Sequence, residues 1–61
     1  SSDGILETIK RRPAIDKDLC KILNLNLNEL NKYLSDLLES GEIETEEMNR
    51  GVFFKIKPRN K

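Results

Sequence analysis

The chain has no histidine and a single cysteine, Cys20. Each shortage closes a class of chemistry. One cysteine cannot form an internal disulfide, and one thiol without histidine cannot build a tetrahedral zinc site. The same lack leaves Cys20 without an imidazole to activate it as a nucleophile. There is no glycine-rich loop to cradle a phosphate and no nucleophile–base pair, so the residues give no basis for an enzyme. No apolar run approaches the ~20 residues that cross a bilayer, and no secretory signal is visible. Excess charge of one sign is also missing: eleven Lys and Arg balance eleven Asp and Glu. A dedicated nucleic-acid binder usually carries a basic surplus, because phosphate neutralisation drives its affinity. Neutrality still leaves room for a basic face opposite an acidic one. No internal repeat or low-complexity segment is present.

What remains is one small domain of 61 residues. Chains of this size bury about 60% of their unfolded surface. With neither disulfide nor zinc, stability must come from a compact apolar core, with or without a partner. A lone cysteine suits a reducing compartment, so the expected location is cytoplasmic, with no membrane association, metal or cofactor. Ser1 to Gly4 are polar and turn-like. They are expected to lie outside the fold, as a linker or cloning remnant of a chain cut from something longer.

From Ile5 onward the spacing is helical. Ile5, Leu6 and Ile9 form a stripe that ends near Arg12, because Pro13 disfavours helix in the residue before it. Ala14-Ile15 reads as a short extended link. Asp16 is placed to cap a second helix, with Asp18 in its first turn and Leu19, Cys20 and Leu23 as its apolar stripe. Asn24 tolerates the left-handed conformation and can end that helix. Asn26 and Glu29 have capping-box spacing, and Leu25 and Leu30 have staple spacing. Leu27, Leu30, Leu34, Leu37 and Leu38 fall on one side of the third helix, which Gly41 stops. Beyond Gly41 the period changes to alternation. Glu42–Thr45 and Val52–Lys57 read as a hairpin with a loose tip between them. Val52, Phe54 and Ile56 share the face that meets Ile43 over the helices, and Phe53, on the other face, is expected at the core edge. Pro58 ends the ladder, leaving residues 58–61 as a tail.

Three residues tie these elements into a closer pattern. A helix–turn–helix crossing needs a small residue in its first helix. It also needs a residue able to take positive φ four positions later, and an apolar residue ten positions after the small one. Cys20, Asn24 and Leu30 occupy those places. Together with the run Tyr33–Ile43 from helix into strand, residues Ile5 to Ile56 resemble the winged helix-turn-helix superfamily. The fold class this implies is α+β, mostly α: three helices followed by a β-hairpin wing, with residues 5–57 as the domain. Cys20 is then a small buried packing residue. The acids Glu42, Glu44, Glu46 and Glu47 lack calcium-loop spacing and read as a solvated wing that discourages edge pairing.

The resemblance implies a non-enzymatic module that binds double-stranded DNA through helix three and the wing, with transcription regulation as its expected role. In that reading Asn28, Asn31, Lys32 and Ser35 contact bases, since asparagine can pair with adenine and lysine with guanine. Arg50 at the wing tip reaches a minor groove or phosphate and Lys55 on the last strand reaches phosphate, with Lys10-Arg11-Arg12, Lys57, Arg59 and Lys61 as further clamps. The outward arc of helix three also carries Glu29, Asp36 and Glu39, a net charge of about minus two. That arc favours a second reading: an accessory or protein-interaction winged helix of a larger enzyme or assembly, using the same face or Tyr33 with the aromatic wing.

Overall fold

The computed structural model describes residues 2–58. In chain order the elements are α1 (Ser2–Arg11), β1 (Ala14–Ile15), α2 (Asp16–Leu23), α3 (Leu27–Ser40), β2 (Ile43–Met48) and β3 (Gly51–Ile56). The strands form one antiparallel sheet in the order β1-β3-β2. The architecture is α+β and mostly helical, with a C-terminal hairpin, a winged-helix-like layout. The tail expected at Arg59–Lys61 lies outside the described residues, as does Ser1.

Helix α1 starts at Ser2, so Ser2 to Gly4 are helical rather than an appendage. The Thr8 hydroxyl donates to the Gly4 carbonyl at 2.9 Å, and a Cβ on Gly4 would stand 3.4 Å from Leu23 Cδ2. Gly4 thus lies close to Leu23 of α2, a long-range approach that apolar periodicity does not announce. Ala14-Ile15 is likewise more than a link. It pairs with Phe54 and Phe53 and makes a third strand. The start of α2 also shifts by one residue. Ile15 sits at the extended cap position without a side-chain bond, because the chain leaves β1 already extended. Asp16 is the first helical residue, and its Oδ1 accepts from the Lys17 N–H at 2.7 Å.

The remaining helix ends follow local chemistry. Asn24 adopts φ 55°, ψ 46°. The N–H groups of Asn24 and Leu25 both turn back to the Cys20 carbonyl. Asn26 caps α3 by accepting from the Glu29 N–H at 2.8 Å. Among the described residues the reciprocal bond from the Glu29 carboxylate is not formed, so this acid stays exposed. Gly41, at φ 82°, closes α3 with the paired bonds of a Schellman ending: its own N–H to Leu38 O and the Glu42 N–H to Leu37 O, both 3.1 Å.

The core draws on five of the six elements: Ile5 and Ile9 from α1, Ala14 from β1, Leu19 from α2, Leu30, Leu34 and Leu37 from α3, and Ile43 from β2. Strand β3 adds half-buried Phe54 and Ile56, and Cys20 packs against the cluster beside them. Two leucines of the expected stripe are not in the core. Leu27 is 49% exposed and Leu38 39%. At 100° per residue the two lie only about 20° apart, on one shoulder of the arc centred on Leu30, Leu34 and Leu37. The stripe is wider than the surface available to cover it.

The hairpin tip is tighter than expected. Met48 pairs with Gly51 across a two-residue Asn49-Arg50 turn. At its base the Lys57 N–H donates to Glu42 O at 3.1 Å, extending the ladder past the Ile43–Ile56 pair. The inner face carries Ile43, Phe54 and Ile56, but Val52 near the tip overshoots the helices and is exposed. Phe53, on the outer face, is half-buried and is not one of the side chains packed on the core cluster.

Two outcomes follow from this arrangement. Leu30→Ala should lower unfolding free energy by about 2–5 kcal/mol, whereas Leu27→Ala should stay within about 0.5 kcal/mol of wild type; urea titrations decide between them. Gly41→Ala should cost about 1–2 kcal/mol. Nothing lies within 4 Å of a Cβ there, so that loss isolates the backbone conformational term.

Candidate functional site

The six candidate contact residues do not form one site. Asn28, Asn31, Lys32 and Ser35 do fall together, all exposed on the first three turns of α3. Around and beyond them the surface is acidic. Between residues 29 and 47 the chain carries seven carboxylates and one cation, Lys32. Asp36 and Glu39 lie exposed along the same helix, and Glu42 to Glu47 continue the acidity into β2.

Lys55 is committed elsewhere. The register places it opposite Glu44 and diagonal to Glu46, on the outer face of the hairpin. Its ammonium lies 3.0 Å from Glu46 Oε1 and 3.5 Å from Glu44 Oε2. The hydrogen bond and charge of Glu46, with a smaller contribution from Glu44, raise its pKa above the ordinary 10.5. A phosphate approaching Lys55 would meet two carboxylates first. Glu44 and Glu46 thus have a partner within the wing, and among the described residues no group of three or more His, Cys, Asp or Glu could hold a metal ion.

Arg50 leads to a different place. It lines a concavity of about 730 Å³ formed by the end of α1, the link to β1, the outer side of α2 and the wing. Arg11, Arg12 and Lys21 line it too, so four cations from distant parts of the chain converge. Its apolar surface comes from Pro13, Ile22 and Phe53, and two carboxylates, Glu7 and Asp18, complete the charge pattern. No residue of α3 takes part.

The pattern recognised Arg11, Arg12 and Arg50 as possible anion contacts but missed Lys21 and Ile22. The available signal was Ile22 itself, an isoleucine off the Leu19–Cys20–Leu23 stripe. With Asp18 and Lys21 it makes an i, i+3, i+4 face on the outside of α2. At 60% it is the most exposed of the large hydrophobic side chains described.

No protein-family model matches the chain, and neither does any curated protein or solved structure. No helix among the described residues is long and apolar enough to cross a membrane.

The wing ion pairs give a titration test. Because the folded-state pKa of Lys55 is raised, its pairing favours the fold below pH 10.5 and fades as pH rises through the folded-state value. In Glu46→Gln the Lys55 titration, followed by NMR of the side-chain carbon beside the ammonium, should move down toward 10.5. An unchanged midpoint would show that Glu46 does not hold the ammonium.

Proposed function

We propose that this chain is a non-enzymatic winged-helix-type module that docks onto a protein partner, as an accessory domain of a larger enzyme or assembly, in a reducing cytoplasmic setting. The observation that supports this reading is the acidity of the segment that would have to face DNA. Seven carboxylates against one lysine between residues 29 and 47 repel a phosphate lattice, and the wing cation Lys55 is paired to two of them. Protein surfaces tolerate such a mixture, because electrostatic complementarity between proteins needs only local matching of sign. The half-buried thiol of Cys20, without histidine beside it, serves packing in this reading and takes no part in chemistry.

A second reading keeps double-stranded DNA as the ligand, through α3 and the wing. One observation favours it: Asn28, Asn31, Lys32 and Ser35 are grouped and free to reach base edges. Titration of labelled random-sequence duplex at about 50 and about 200 mM salt separates the two. The docking reading predicts no binding at high micromolar protein at either salt. Binding that weakens steeply with salt, and disappears in the Asn28→Ala, Asn31→Ala and Lys32→Ala variants, would replace it with the DNA reading.

A further inference from the structure

We infer that the concavity between α1, α2 and the wing turn is the docking site for an acidic protein segment carrying an apolar anchor side chain. This deepens the protein-docking reading and rests on it. The first argument is the state of the cations. Arg11, Arg12, Lys21 and Arg50 are exposed, and among the described residues none of them forms an ion pair. Lys55 shows that this chain pairs a cation where register allows. Here four cations share one hollow with only Glu7 and Asp18 to offset them, an arrangement that costs repulsion unless an anion enters. Three of the four are arginines, whose planar fork fits a carboxylate through two parallel hydrogen bonds.

The second argument is the apolar surface at the same place. Ile22 stands 60% exposed beside Pro13, and half-buried Phe53 lines the same hollow and is not packed on the core cluster. Docking an aliphatic or aromatic side chain there would remove all three from water. The volume of about 730 Å³ is that of a cleft for a short segment or a few side chains, not for a folded domain.

The same features decide between classes of anionic partner. A nucleic-acid backbone presents a continuous row of phosphates. It would meet Glu7 and Asp18 as well as the arginines, and its sugar-phosphate surface has no use for Ile22 and Pro13. A peptide can place separate carboxylates on the arginines and an apolar residue between them. Charge complementarity and apolar contact together therefore point to an acidic, amphipathic protein segment.

The test uses the whole chain, labelled with nitrogen-15, and a short probe peptide with a leucine pair flanked by glutamates. Its counterpart with lysine for glutamate and a random-sequence DNA duplex serve as controls. Amide shifts should centre on Lys21, Ile22, Arg50 and Phe53, with no response to the lysine peptide. Affinity should fall by at least about tenfold, or 1.4 kcal/mol, in Ile22→Ser and in the paired Arg12→Glu, Arg50→Glu variant. All three positions are solvent-exposed or rim positions, and melting curves confirm that each variant folds. Shifts centred on α3, or none at millimolar peptide, would overturn the site while leaving protein docking elsewhere in place. Shifts of the concavity by the duplex, weakening steeply with salt, would overturn both the site and the docking reading.

Discussion

A single small core holds every element of this chain, and its smallness governs the rest. Leu19 and Leu30 are fully buried where α2 meets α3, with Ile5 from α1 and Ile43 from β2 equally enclosed. Half-buried Cys20 packs against this cluster, and its modest bulk suits a close helix approach. The turn between the helices depends on Asn24 at positive φ, which redirects the chain within three residues so that Asn26 can cap α3. In a chain of this length no second cluster can substitute if the first is disturbed. The sheet belongs to the same unit: β1 and β3 pair beside α1, and Phe54 and Ile56 pack against the core cluster.

With the apolar side chains committed in this way, function falls to the surface, and there the charges are sorted. Acid gathers from α3 into β2, while four cations with no ion pair among the described residues gather between α1, α2 and the turn of the wing. Net charge conceals this sorting, because the two populations cancel. A neutral total would suggest an even surface, whereas the molecule has two unlike sides. The resemblance to winged helices directs attention to α3, yet on this chain the cationic surface lies away from that helix. The layout of a fold and the location of its binding chemistry separate readily, as the physics of sites grafted onto folds leads one to expect.

Local features were legible in the sequence because their causes are local. Asn24, Asn26 and Gly41 do what their side chains and backbones favour, independent of distant contacts. The change from helical to alternating period after Gly41 marked the hairpin for the same reason. Features that depend on long-range contact were not legible. Strand β1 is two residues long and has no period of its own; it exists because Phe53 and Phe54 lie beside it. The first turn of α1 carries no apolar stripe, so nothing local announced it. The five-leucine stripe of α3 showed which side is apolar but not how much of it would be covered. For the candidate site, the exposure of Asn28, Asn31, Lys32 and Ser35 followed from helical geometry. The pairing of Lys55 required the strand register, and the meeting of Arg50 with Arg11 required the whole topology.

The central claim is that one core unites the helices and the sheet. Native-state hydrogen exchange tests it most directly. The amides of Leu30, Leu34 and Leu37 in α3 and of Lys55 and Lys57 at the base of the hairpin should exchange last and share one opening free energy. Those around Asn49 and Arg50 should exchange early. If the Lys55 and Lys57 amides instead exchange far faster than those of α3, the hairpin is not part of the cooperative unit, and the account of a single shared core fails.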